Sequence, residues 1–135
     1  MHTPPDLRPF GGADVYLSDC ASRAVLHLIA NKWVALVVGA LHPGTLRYAE
    51  LRRRLGGITK KMLTQTLRDL ERNGLVRRTV HPTVPPQVEY SLTELGDSVS
   101  GLMEAIRVWS ESHIEEIAAA QLAYEEAAAS RTAAV

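Results

Sequence analysis

The chain has a single cysteine, Cys20. An intrachain disulfide is therefore impossible, and with it the cross-linked framework of a small secreted domain. Aromatic residues make up only 5% of the 135 positions. No apolar run approaches the roughly 18 residues that a membrane-spanning helix needs. The longest, "VALVVGAL" at 34–41, has the length of a buried helix. The opening "MHTPPDLRPFGG" contains no apolar signal core, so the expectation is a cytoplasmic protein with no membrane partner. His2, His27, His42, His81 and His113 are scattered, and none has metal-ligand spacing with a cysteine or carboxylate. No metal and no cofactor are expected. His42 and Cys20 lack motif partners for nucleophilic or acid–base chemistry, which argues against an enzyme.

The formal net charge is also zero. Its distribution along the chain is not even. Residues 1–46 balance three basic side chains against three acidic ones. Residues 47–81 hold ten basic and three acidic side chains, a net of +7. Residues 82–135 hold two basic and nine acidic, a net of −7. A compact basic third beside an acidic third is the footprint of a polyanion binder.

The elements follow from spacing and punctuation. Residues 1–19, with three prolines and Gly11–Gly12, read as an arm with little regular structure. A first helix is predicted over about Ala21 to Ile29, and a second over "KWVALVVGAL", stopped at His42–Pro43–Gly44. "LRYAELRRRL" gives a third helix from about Tyr48 to Leu55, ended by Gly56 and Gly57. Thr59 is placed to cap a fourth, from Lys60 to Asn73, with Gly74 as its left-handed stop. Met62, Leu63, Leu67, Leu70 and Leu75 form its predicted buried stripe. "LVRRTV" and "QVEYSL" are β-type runs joined by "HPTVPP", a hairpin with a proline-set tip. One long acidic helix follows, capped by Thr93, and the end from about residue 123 is expected to fray.

Residues 48–73 thus read helix, short glycine turn, helix, with a hairpin directly behind. The predicted fold is mainly α with a small antiparallel β-hairpin, a winged helix-turn-helix. It comprises an N-terminal arm (1–19), one domain with N- and C-terminal dimerisation helices (20–122) and a tail (123–135). Lys60, Lys61, Thr64, Gln65 and Arg68 share the outward face of the second helix of the pair, and Arg72 extends that stripe. Gln, Thr and Arg can bond base edges, and Lys and Arg can neutralise phosphates. Arg77 and Arg78 stand near the base of the wing, within reach of backbone or minor groove. A charged helix face alone is commonly just solvated. Here it coincides with a wing and a local excess of +7, and that combination favours double-stranded DNA. The alternative is a winged helix used as a protein-interaction module without specific DNA binding, which has no need of such a basic stripe.

In the last helix Val99, Leu102, Ile106, Trp109, His113 and Ile117 recur at three- and four-residue steps. A stripe that long exceeds what one small domain covers, so a second subunit is expected. Trp33, Leu102, Ile106, Trp109 and His113 are the expected dimer interface or the lining of an effector pocket. The plainer reading of the two tryptophans is that they anchor the interface by packing.

Taken together, "NKWVALVVGAL", "RYAELRRRLGGITKKMLTQTLRDLERNGLVRRTV" and "HPTVPPQVEYSLTELG" resemble the HxlR-type transcriptional regulators, a winged-helix group close to the MarR-type regulators. The resemblance covers about Cys20 to His113. It implies a homodimer joined through its first and last helices, with the helix after "GGI" in the major groove. Such proteins control neighbouring genes, often as repressors, and enzyme activity is not a trait of the group. Many have a cysteine just before the first helix, and some use it to sense oxidants or electrophiles. Cys20 stands at that place and is the expected sensor, although Ala21 replaces the proline usual after it. Asp19 would raise the pKa of this thiol, whereas Arg23 and a helix N-terminus would lower it.

Overall fold

A computed structural model describes residues 15–16 and 21–133. The arm before Val15 and the candidate sensor Cys20 lie outside the described residues. The chain forms two compact units, 1–100 and 101–135.

In the first unit, helices α1 (Ala21–Ile29) and α2 (Lys32–Leu41) are separated by Asn31. The Asn31 side chain accepts from the amides of Trp33 and Val34 at 2.8 and 3.3 Å, so it caps α2. Val34, Val37, Val38 and Leu41 are all buried, the spacing of one helical face. Among the described residues no single helix is long and apolar enough to cross a membrane. Helices α1 and α2 reach that length and composition only as a pair, bent by 68°.

Helix α3 (Tyr48–Arg54) and helix α4 (Lys60–Arg72) are the helix-turn-helix pair. Gly57, at φ +84, makes the turn between them. Thr59 Oγ1 accepts from the Met62 amide at 3.1 Å, the expected N-cap. At the other end Leu75 N–H donates to Leu70 O and Gly74 N–H to Glu71 O, with Gly74 at φ +76. That is a Schellman stop, and Leu70 and Leu75 are both buried beside it. The buried stripe of α4 is Leu63, Thr66, Leu67 and Leu70. Met62, expected inside, is exposed, and Thr66 takes the inner position. Thr66 Oγ1 donates to the Met62 carbonyl at 2.7 Å, so its hydroxyl is satisfied within the helix.

The wing is strand β2 (Val76–His81) and strand β3 (Gln87–Leu92), paired antiparallel from Val76↔Leu92 to His81↔Gln87. A third strand was not expected. Strand β1 (Leu46–Arg47) pairs with β3, Leu46 opposite Tyr90, giving the order β1-β3-β2. Two residues have too little periodicity to announce a strand. Their pairing comes only from where α2 and α3 deliver them.

The predicted single acidic helix is two: α5 (Glu94–Ser112) and α6 (Ile114–Ala133), broken at His113. Residues 123–133, expected to fray, belong to α6. Thr93 caps α5 through its Oγ1, which accepts from Gly96 N–H at 3.1 Å. The same hydroxyl donates to the Gly74 carbonyl at 2.5 Å, and Thr93 N–H donates to Leu75 O at 3.1 Å. The start of α5 is thereby bonded to the stop of α4. Gly96 is packed so closely there that a Cβ would lie 2.0 Å from the Leu75 carbonyl oxygen.

In the second unit Leu102, Ile106 and Trp109 are each about half exposed on α5. Trp109 and His113 stack with ring centroids 4.6 Å apart, and His113 Nδ1 lies 2.9 Å from the Trp109 carbonyl oxygen. Ile114, Ile117, Leu122 and Tyr124 of α6 are also exposed.

Candidate nucleic-acid interface

Helix α4 offers an exposed, cationic N-terminal half. Its first turn contains Lys60 and Lys61 and no acidic residue. A helix N-terminus carries positive partial charge, so two lysines there oppose the helix dipole. This is a local conflict that a bound anion would relieve, since free N–H groups and lysines then face the same charge.

The side chains on the outer face differ in how free they are. Lys60, Lys61, Gln65 and Arg68 are exposed, and Thr64 is half-buried. Thr64 Oγ1 lies 3.1 Å from the Tyr48 hydroxyl, which in turn donates to the Lys60 carbonyl at 3.0 Å. Gln65 Nε2 donates to Asp69 Oδ1 at 3.0 Å, one turn on. This leaves the Gln65 carbonyl oxygen and a second N–H, the pair that reads adenine in a major groove.

Between α3, α4 and the sheet runs a cleft of about 340 Å³ lined by Tyr48, Thr64, Leu67, Arg68, Glu71, Arg78 and Tyr90. It brings Arg68 of the helix and Arg78 of the wing to one place. Arg77, its neighbour in β2, is opposite Ser91 and points to the other face of the strand. The wing tip is fully open: Val84 is completely exposed. Tyr48 and Tyr90 escaped the sequence reading, because nothing in their spacing ties them to α4. A shallower depression beside β1 mixes Arg47 and Arg53 with Glu50 and Glu89, so it has no excess of either sign.

Most of the basic third is uncommitted. Arg47 donates to Gln87 Oε1 at 2.8 Å. Among the described residues, Arg52, Arg53, Arg54, Lys60, Lys61, Arg68, Arg72, Arg77 and Arg78 make no ion pair or side-chain hydrogen bond. Among the described residues outside this third, Arg23, Lys32 and Arg107 are engaged, while Arg131 at the end of α6 is not. Arg107 grips Glu104 through two nitrogens and reaches Glu111 at 2.7 Å, and these carboxylates hold its pKa above the usual value. Arg23 donates to the carbonyls of Val15 and Tyr16. Lys32 lies over the Trp33 ring at 4.5 Å. The net +7 is thus available to an outside partner.

Of the residues expected at an interface or effector pocket, Leu102, Ile106, Trp109 and His113 fall along one side of α5 and its end, at steps of four, three and four. Trp33 is on α2 in the first unit and is half-buried.

A short-turn helix pair whose second helix bears free cations, backed by a three-stranded sheet that ends in a two-stranded wing, defines the winged helix-turn-helix class of DNA-binding transcription regulators. Within that class the chain belongs to the HxlR-like helix-turn-helix family, whose model matches residues 28–118. It is 42% identical over 106 residues to the uncharacterized HTH-type transcriptional regulator YtfH of Escherichia coli (strain K12), spanning 78% of this chain and 84% of that one. The solved structure of YtfH from Salmonella typhimurium superposes with a TM-score of 0.76 at 40% identity, covering 82% of this chain and 98% of that one. The redox regulator HypR in its oxidized form matches with a TM-score of 0.64 at 40% identity, over 69% of this chain and 96% of that one. The relatives and the fold are those of transcriptional regulators, not enzymes.

Proposed function

We propose that the chain acts as a homodimeric, sequence-specific repressor that binds an inverted-repeat operator. Helix α4 enters the major groove through its N-terminal half. Lys60, Lys61, Arg68, Arg77 and Arg78 hold phosphates, while Thr64 and Gln65 face base edges. The observation that carries this reading is the first turn of α4, where two uncommitted lysines oppose the helix dipole. The wing tip around Val84–Pro86 reaches a neighbouring groove or phosphate. Two-fold symmetry sets the half-sites about one or two turns apart, roughly 10 or 20 bp.

The dimer forms through α1 and through the last helices, by the apolar side of α5 and by α6. Half-exposed Leu102, Ile106 and Trp109 in a row support a partner of the same kind, since isolated soluble chains rarely expose such stripes. The signal is a thiol-reactive or small apolar effector, with Cys20 as the thiol. Its support is the single cysteine ahead of α1 and the likeness to a redox regulator. Modification there changes the spacing of the two recognition helices.

The test is a gel shift on the DNA upstream of the chain's own gene against scrambled DNA, at two salt concentrations, with and without a mild thiol oxidant. A specific, salt-sensitive shift released by oxidant and restored by reductant supports every part of the reading. A shift that ignores oxidant removes Cys20 as the sensor and leaves a small-molecule effector. Equal binding to scrambled DNA leaves an operator elsewhere or the protein-interaction module.

A further inference from the structure

The Tyr48 hydroxyl lies 3.0 Å from the Lys60 carbonyl oxygen and 3.1 Å from Thr64 Oγ1. A carbonyl only accepts, so the one phenolic proton goes to Lys60. The second contact must then take its proton from the threonine, and Thr64 O–H donates to Tyr48. The Lys60 carbonyl has room for this bond, because an oxygen with two lone pairs gives only one to its own helix. Tyr48 opens α3, and both of its partners sit at the start of α4. One half-buried phenol therefore links the two helices of the pair at the end of α4 that carries Lys60, Lys61 and Thr64.

We propose that Tyr48 is a positioning residue of the DNA-reading surface. It fixes the first turn of α4 and takes up the Thr64 hydroxyl proton, so Thr64 meets the operator with its methyl group and not as a hydrogen-bond donor. This rests on α4 being the recognition helix. A threonine methyl fits the C5-methyl of thymine, whereas a committed hydroxyl offers no proton to the acceptors on guanine, adenine or thymine. We assign Thr64 to a thymine in the operator through its methyl; the alternative, its oxygen accepting from adenine N6–H or cytosine N4–H, is a contact that Thr64→Val removes. The hydroxyl of Tyr48 touches no base. Its effect on recognition runs through the placement of Thr64 and of the α4 backbone, and side chains that read bases tolerate little looseness in their support.

The experiment starts from an operator selected by the wild-type protein out of a pool of random duplexes. Binding to that operator and to its scramble is then measured for wild type, Tyr48→Phe, Thr64→Val and Thr64→Ser. Tyr48→Phe keeps the ring and removes only the hydroxyl. Its operator-to-scramble ratio is expected to fall roughly five- to tenfold per half-site, the scale of one net hydrogen bond in each subunit, which compounds over the two half-sites of the dimer, with scramble binding and salt slope unchanged. Thr64→Val keeps the methyl and the thymine preference, and Thr64→Ser loses that preference. An unchanged ratio in Tyr48→Phe, or a preference kept by serine and lost by valine, overturns the assignment. Amide exchange over residues 61–65 in the DNA-free proteins separates this inference from its parent. Should the wild type show no sequence preference, the recognition-helix reading fails. Exchange that stays slow in Tyr48→Phe then refutes the tether, and faster exchange upholds it.

Discussion

Replacing Lys61 by alanine separates the electrostatic part of DNA binding from the rest. Five cations per subunit are assigned to phosphates: Lys60, Lys61, Arg68, Arg77 and Arg78. A dimer brings twice that number. If each neutralises one phosphate, the plot of log affinity against log salt has a slope of about −9, at about −0.9 per contact. Affinity then falls by roughly five orders of magnitude between 50 and 200 mM salt. Lys61→Ala removes two contacts from the dimer, so the slope becomes shallower by about 1.8. At about 150 mM salt that is roughly a thirtyfold loss of affinity, or about 2 kcal/mol. The loss applies equally to operator and scramble, because a phosphate contact has no sequence information. Stability moves the other way. Lys61 opposes the dipole of α4 and makes no ion pair, so its removal leaves the melting temperature unchanged or slightly higher. Fluorescence anisotropy of a labelled duplex over a salt series, with a thermal melt of each protein, measures both. An unchanged slope, or a loss confined to the operator, would refute the phosphate role. A wild-type slope near half the expected value would indicate that one subunit binds at a time.

Three further outcomes are expected. Gln65→Ala relaxes preference at one operator position and leaves binding to scrambled DNA as it was, because its free carbonyl oxygen and second N–H are the reading pair; an equal fall on both DNAs means that Gln65 reads no base. Gly96→Ala places a Cβ 2.0 Å from the Leu75 carbonyl oxygen, a backbone atom that cannot swing away. It destabilises the fold by about 3 kcal/mol in thermal or urea denaturation, and a wild-type melt would show that α5 does not pack against the Gly74–Leu75 turn as described. Ile106→Glu puts a charge in the apolar row of α5 and yields monomers in light scattering while the helical signal persists; an intact dimer places the interface elsewhere.

Much of the helix-turn-helix was legible because its signals are local. Thr59 caps the helix it precedes and Gly74 stops α4, since each acts on amides or carbonyls within a few residues. The wing was legible from its β-branched runs and prolines. Met62 was misplaced because four-residue spacing fits both it and Thr66, and hydrophobicity favours methionine. Only packing shows that the inner position takes a threonine whose hydroxyl can turn back on its own helix. The break at His113 was missed because the apolar period continues through it, and the alanine-rich run after it favours helix. Tyr48 was missed for a different reason. It is 16 residues from Thr64, and no pattern in one strand of text connects a phenol to a carbonyl across a glycine turn.

The sequence by itself determined the class of protein, through caps, stops, apolar period and a charge excess confined to one third of the chain. Each of those is set by interactions along the helix or by composition, so the order of residues suffices. The tertiary structure alone decided which polar groups remain available. It left Lys60, Lys61, Arg68 and Arg78 unpaired among the described residues and brought the Thr64 hydroxyl against Tyr48. Those assignments depend on hydrogen-bond distances between groups that the chain separates and only folding brings to within about 3 Å.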